Sequence, residues 1–282
     1  MIARPFGPTG ASVPLIGQGT WNVPTRGAAA EAARGALRAG IEHGMVHLDT
    51  AEMYGDGAAE ELLGAAIAGL PRESLFIVSK VLPSNATARG TIAACERSLH
   101  RLKTDYLDCY LLHWRGTVPL RETMGALERL VAEGKIRALG VSNFDVDDLK
   151  EAQAALEREP IACNQVLYHL NERTIEDHEI PYAREHDIAT VAYTPLGRGA
   201  YERGAGYATL VAVAQRLGAT PAQVVLAFLT RAADTFAIPK AASVAHALEN
   251  AGAGDLQLAP EDIAAIDRAY PAGRRRGGLP SL

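Results

Sequence analysis

The 282-residue sequence predicts an α/β protein of the (β/α)8 barrel class, with a short β-hairpin ahead of the first barrel strand and the whole chain, 1–282, in one domain. Three observations predict it. The length suits one such barrel, which takes ~250 residues. Eight short apolar runs alternate with Ala- and Leu-rich stretches of helical spacing, the pattern of repeated βαβ units. The G-x-G-x-x-G turn that opens a doubly wound sheet is missing, which favours the barrel over its main rival.

The strands are expected at 17–20 (GQGT), 46–49 (VHLD), 75–80 (LFIVSK), 106–113 (YLDCYLLH), 138–142 (ALGVS), 162–165 (ACNQ), 189–193 (ATVAY) and 236–239 (FAIP). Between them lie the helices. Thr220-Pro221-Ala222-Gln223 reads as an N-cap, a proline at the first helical position and the Gln of a capping box. Gly40, Gly134 and Gly218 stand where helices should stop in a left-handed cap. The VPLIG run near the start is expected in a hairpin that caps the bottom of the barrel.

Composition narrows the function. Apolar residues make up 48% and charged residues 22%, and the net charge is −5, so no basic surface invites nucleic acid or anionic lipid. The one dense basic run, Arg274-Arg275-Arg276, reads as a solvated tail. Cys95, Cys109 and Cys163 have neither metal-site nor CxxC spacing, and Cys109 and Cys163, in apolar runs, read as buried packing thiols. The histidines show no metal-ligand spacing, so no metal is expected, and His47 reads as a hydrogen-bonded structural residue. No signal segment opens the chain and no apolar run approaches ~20 residues, so a cytoplasmic protein, apart from membranes, is expected.

A barrel of this class carries its active site at the C-terminal ends of its strands. There the sequence places Asp49, Lys80, His113, Ser142 with Asn143, Gln165, Tyr193 and, after the last strand, Lys240. Tyr54 follows Asp49 by five residues, in the loop over the mouth. Together these groups make chemical sense. An ammonium at Lys80 favours a tyrosinate and so is expected to lower the phenol pKa of Tyr54. Asp49 keeps Lys80 charged and oriented, and His113 offers a ring nitrogen to a substrate oxygen. Such a phenol can give its proton to a developing alkoxide, as reduction of a carbonyl by hydride requires.

At these residues the sequence resembles the aldo-keto reductase family over nearly its whole length. The resemblance rests on GQGTW (17–21), HLDTAEMYGDGAAEELLGAAI (47–67), IVSK (77–80), DYLDCYLLHW (105–114), ALGVSNF (138–144), NQVLYH (164–169), YTPLGRG (193–199) and IPKAASVAHALEN (238–250), in the family's order and spacing. It implies a catalytic tetrad of Asp49, Tyr54, Lys80 and His113, with Tyr54 the general acid. It implies NADPH as cofactor, with NADH as a possible secondary one, bound across the mouth without a Rossmann domain. Ser142, Asn143 and Gln165 would hold the carboxamide, Tyr193 would stack on the nicotinamide, and Leu196 and Gly197 would cover the pyrophosphate. Lys240, Ser243, Glu249 and Asn250 match the adenosine end, and Thr20, Trp21 and Asp49 complete the cofactor set. Trp21, Met53 and Trp114 would line the substrate pocket with Tyr54 and His113. The nearest likeness is to bacterial members acting on methylglyoxal-like 2-oxoaldehydes, which implies a small carbonyl substrate and a monomer.

The chain also departs from the family pattern. Ala241 and His246 stand where NADPH-specific relatives often have Ser and Arg, leaving Lys240 and Ser243 for the 2′-phosphate. Arg115 follows the HW pair where Pro is common. The segment after His113 and the tail after Tyr270 are both short, which implies an open site. The family also contains channel-associated β-subunits that sense cofactor as partners of a membrane protein, the alternative function from another class. The N-terminal extension and apolar docking stripe of such a module are not evident.

Overall fold

The computed structural model describes residues 1–275 and 277–282. Its central sheet has eight parallel strands in sequential order: β3 (Gln18–Gly19), β4 (His47–Asp49), β5 (Phe76–Val81), β6 (Leu107–Leu112), β7 (Ile136–Ser142), β8 (Ile161–Leu167), β9 (Ala189–Tyr193) and β10 (Thr235–Ala237). The sheet closes on itself just before β3. Ile16 bridges Ala237, the Ala237 N–H donates to the Leu15 carbonyl at 2.9 Å, and the Gly17 N–H donates to the Ala237 carbonyl at 2.8 Å. All eight expected strands fall on observed ones.

An antiparallel hairpin, β1 (Ala3–Pro5) with β2 (Ser12–Pro14), precedes the barrel. It takes only the first part of the VPLIG run, since Leu15 and Ile16 already belong to the closure. Gly7, between its strands, lies against the Ala162 and Asp187 carbonyls at the entries to β8 and β9, so the hairpin covers the bottom of the barrel. Phe6 descends from it into an aromatic plug with Phe76 (ring centroids 4.8 Å), Phe236 (5.0 Å) and His47 (5.6 Å). Here one expectation is corrected. His47 is fully buried and neither ring nitrogen has a hydrogen-bond partner in the protein. It serves as a fourth aromatic ring, and burial, aided by Lys80, pushes its pKa down to about 3, which keeps it neutral.

The eight barrel helices are α1 (Gly27–Glu42), α2 (Ala58–Ile67), α3 (Ala88–Leu102), α4 (Leu120–Ala132), α5 (Val146–Ala154), α6 (Glu179–Glu185), α8 (Pro221–Leu229) and α9 (Val244–Gly252). Two more stand outside the alternation, α7 (Tyr207–Leu217) and α10 (Pro260–Ala269), tied together by an Arg216–Asp262 ion pair. The α8 capping box is present: the Gln223 N–H donates to Thr220 Oγ1 at 3.2 Å and the Thr220 N–H donates to Gln223 Oε1 at 2.9 Å. Gly134 and Gly218 adopt the expected left-handed conformation, with φ of 70° and 63°. Gly40 does not: α1 runs through it. A Cβ there would lie 2.2 Å from Gln18 Oε1, so Gly40 makes room for a side chain rather than ending a helix. Gln18 uses that room to donate to the Leu37 and Met45 carbonyls at 3.1 and 3.0 Å, fastening the end of α1 to the barrel.

The period-two alternation of the strands decides which side chains meet inside. On β4 His47 and Asp49 share a parity, on β5 Phe76, Val78 and Lys80 do, and in the β6 segment Cys109, Leu111 and His113 do. Their apolar members belong to one core cluster inside the barrel, while Leu48, Ile77, Tyr110 and Leu112 belong to the cluster beneath the helices. Apolar residues and the His47 ring therefore fill the lower layers, and Asp49, Lys80 and His113 sit at the top. The three cysteines are free and buried, as expected for Cys109 and Cys163. Among the described residues, no single helix is long and apolar enough to cross a membrane.

Candidate active site

The top of the barrel opens into a cleft of about 670 Å³. At its floor Asp49, Tyr54, Lys80 and His113 come together. Asp49 aligns with Val78 across β4 and β5, so Lys80 stands one pleat higher on the same inner face. Its Nζ donates to Asp49 Oδ1 at 2.7 Å, to the Thr50 carbonyl at 2.9 Å and to the Tyr54 hydroxyl at 3.3 Å. On the outer side of β5, Ser79 Oγ donates to Glu60 Oε1 at 2.5 Å, and Arg101 Nε donates to Glu60 Oε2 at 2.6 Å. These buried bonds hold the strand that aims Lys80. The His113 ring meets the Tyr54 ring edge-on, with centroids 5.7 Å apart.

All four side chains are largely removed from water, with Tyr54 the most exposed at 9%. Burial disfavours charge, and the close pairing of Lys80 with Asp49 works against it. Burial lowers the Lys80 pKa, but Asp49 and Tyr54 outweigh it and the net shift is upward. Burial raises the Asp49 pKa against the pull of Lys80 and Gln165. Tyr54 corrects the sequence reading. Its phenol is pushed up rather than down, because burial outweighs Lys80, whose charge is already matched by Asp49. The phenol is therefore a proton-loaded acid at neutral pH, with an ammonium beside its oxygen. Burial and Lys80 hold the His113 pKa at about 3, leaving a neutral imidazole.

Ser142, Asn143, Gln165 and Tyr193 line the cleft next to this cluster. Asn143 has φ of 58°, a left-handed conformation that Asn tolerates better than most side chains. Its Nδ2 donates to the His113 carbonyl at 3.1 Å, and its Oδ1 accepts from the Tyr193 hydroxyl at 2.8 Å. Trp21, Met53, Trp114, Leu196 and Lys240 also line the cleft. The remaining residues of the sequence-derived set do not. Thr20 is buried and donates its hydroxyl to the Asp49 carbonyl at 3.0 Å. Gly197 takes a left-handed turn against His169 beside the lining. Ser243 caps α9, its Oγ accepting from the His246 N–H at 3.3 Å. Glu249 and Asn250 lie further along α9, with Asn250 buried.

Several lining residues were not foreseen. Arg198 lies in the YTPLGRG motif but its side chain had no assigned role; its guanidinium sits 4.9 Å from the Trp21 ring, joining two loops across the mouth. Leu282 carried no sequence signal at all. The short tail was expected to leave the site open, and the basic run to be solvated. Instead Arg275 pairs with the buried Glu179 of α6, Leu279 packs on the core, and Leu282 reaches the cleft wall. Arg274 is exposed, and Arg276 lies outside the described residues. Arg115, the departure after the HW pair, is clamped to α5 by Glu151 at 2.8 and 3.0 Å and Asp148 at 3.2 Å. Among the described residues, no group of three His, Cys, Asp or Glu side chains is placed to hold a metal.

The fold is a parallel (β/α)8 barrel with a buried Tyr–Lys–Asp cluster and a neutral His at the floor of its open end. The sequence comparisons make the class specific. Residues 15–271 match the Aldo/keto reductase family, and the chain belongs to that family. It is 43% identical over 270 residues to methylglyoxal reductase YeaE of Escherichia coli, covering 95% of each chain. It is 36% identical to glyoxal reductase of Bacillus subtilis, over 92% of this chain and 89% of that one. Two crystal structures of an aldo/keto reductase from Klebsiella pneumoniae superpose closely. One, in complex with NADP and acetate, has a TM-score of 0.91 at 46% identity and covers 100% of this chain and 99% of that one. The other, in complex with NADPH, has a TM-score of 0.92 at 45% identity and covers 100% of both.

Proposed function

We propose that this protein reduces the carbonyl of a small aldehyde or ketone, of the 2-oxoaldehyde kind, to an alcohol with NADPH. The observation that carries this reading is the placement of Lys80 Nζ between Asp49 Oδ1 and the Tyr54 hydroxyl, with neutral His113 at the same wall. The relatives named for methylglyoxal and glyoxal reduction, and the NADP- and NADPH-bound neighbours, support it.

The cleft suits a dinucleotide. Polar Ser142, Asn143 and Gln165 stand at one end, Tyr193 offers a ring, and the cations Arg198 and Lys240 face the same space. Ser142, Asn143 and Gln165 would hold the carboxamide, Tyr193 the ring, Leu196 with Gly197 the diphosphate, and Lys240 with Ser243 the 2′-phosphate. NADPH supplies the hydride when bound. Tyr54 gives its proton to the carbonyl oxygen as that oxygen gains negative charge. Lys80 then stabilises the tyrosinate that remains, and Asp49 holds Lys80 in place. His113 donates a ring N–H that orients the same oxygen, a role open to a neutral imidazole. Trp21, Met53 and Trp114 offer apolar surface to the substrate. In this reading the chain works as one domain, as a cytoplasmic monomer.

The test is oxidation of NADPH, followed by its near-ultraviolet absorbance, with methylglyoxal and with an aromatic aldehyde, and NADH in parallel. Turnover faster with NADPH is the expected result. Tight NADPH binding without turnover would replace this reading with a cofactor-sensing module, and binding of neither nucleotide would overturn it.

A further inference from the structure

Asp49 is held on both sides. While Oδ1 accepts from Lys80, Oδ2 accepts from Gln165 Nε2 at 2.6 Å, across 116 residues of sequence and the whole width of the barrel. Neither Asp49 nor Gln165 is more than 2% exposed. A carboxylate paired with an ammonium only accepts hydrogen bonds, so the Gln165 amide must turn its NH2 toward Asp49 and its oxygen away. The Gln165 main chain is pinned as well, since its carbonyl accepts from Ser142 Oγ at 2.8 Å and from the Asn143 N–H at 2.9 Å. A line of buried bonds thus runs from the end of β7 through Gln165 and Asp49 to Lys80 and Tyr54.

We propose that Gln165 is a positioning residue for proton donation by Tyr54: it fixes the Asp49 carboxylate, and through it the Lys80 ammonium, while its amide oxygen remains for a cofactor carboxamide. The inference rests on the reductase reading above and deepens it. Without the Gln165 donor, Asp49 Oδ2 is a buried charged acceptor with no partner, and the carboxylate turns toward whatever donor remains. Lys80 then no longer sits squarely against the Tyr54 oxygen at the moment the tyrosinate forms. One amide side chain therefore ties the cofactor end of the cleft to its acid.

Gln165→Met keeps the side-chain length and removes the donor. It is expected to lower kcat roughly ten-fold, the size of one charge-assisted hydrogen bond. The same loss is expected with the NADPH analogue whose carboxamide NH2 is replaced by methyl, which cannot donate to Gln165. A defect confined to cofactor affinity, and absent with the analogue, would overturn the proposal. If the Met variant does not fold, Gln165→Asn, which keeps the amide but shortens its reach by one methylene, gives the same comparison. A second readout needs no cofactor. In urea unfolding of the free protein, Gln165→Met and Asp49→Leu should destabilise less in combination than the sum of the two alone, because Leu has no acceptor and either change by itself already breaks the bond. Strict additivity overturns the proposal even if the wild type is an active reductase. A wild type that neither binds NADPH nor turns over a carbonyl overturns the functional reading instead, while the cofactor-free comparison still decides whether Gln165 holds Asp49.

Discussion

Lys80 Nζ lies 2.7 Å from Asp49 Oδ1, and the two side chains are 0% and 2% exposed. A buried ion pair adds little net stability, but removing one partner leaves a charge that water cannot reach. Asp49→Asn should therefore destabilise the protein by about 3–5 kcal/mol. Adding Lys80→Met should recover part of that loss, because the stranded ammonium is then gone. Urea unfolding of the two single variants and the double variant measures this. A double variant whose loss equals the sum of the two single losses would mean that the pair is not coupled.

Tyr54→Phe removes the proposed proton donor and leaves the ring packed against His113. Turnover should fall by about 10²–10⁴, the usual worth of a positioned acid. The NADPH dissociation constant, read by quenching of tryptophan fluorescence, should stay nearly constant. A variant that keeps most of its kcat would remove Tyr54 from the mechanism.

Lys240 is exposed and faces the cleft, and Ser243 caps the following helix, α9. Lys240→Ala should weaken NADPH roughly ten-fold and leave NADH nearly unchanged, because only NADPH carries the 2′-phosphate. Equal losses with both nucleotides would show that Lys240 does not recognise that group.

His47 links stability to pH. Burial, with Lys80, moves its pKa from 6.5 down to about 3 in the folded protein. A depressed folded value contributes stability that is present above the unfolded pKa and is lost as pH falls from 6.5 toward 3. By about pH 5 the loss from this one group is about 2 kcal/mol. His47→Leu should flatten the fall in stability between neutral pH and about pH 5 by that amount. An unchanged slope would mean that His47 takes up its proton without unfolding. His113, held at about 3 by burial and Lys80, adds a similar dependence that remains in the variant.

The Arg275–Glu179 pair fastens the tail that brings Leu282 to the cleft. Arg275→Ala should free that tail, raising KM for an aldehyde several-fold while the NADPH dissociation constant holds. An unchanged KM would mean that Leu282 does not shape the carbonyl pocket.

Much of the barrel was legible because a repeating pattern carries it. Eight apolar runs of strand length, each followed by a helical stretch, have one simple closure at this length, and period-two alternation puts Asp49, Lys80 and His113 on the inner face above an apolar filling. The capping box at Thr220 and the left-handed stops at Gly134 and Gly218 are local chemistry, complete within a few residues. Gly40 misled for a related reason. A glycine needed for a left-handed turn and a glycine needed for room look alike until Gln18 is placed against it.

By itself the sequence determined the alternation of elements, the polar rim and the residues able to act as acid, ammonium and carboxylate, because residue type and short spacings encode these. Only the tertiary structure decided how each buried group is settled: that Gln165 completes Asp49, that burial outweighs Lys80 and keeps the proton on Tyr54, and that the tail returns to the mouth through Arg275. Those outcomes depend on distance and desolvation between residues far apart in the chain, and both are set when the barrel closes.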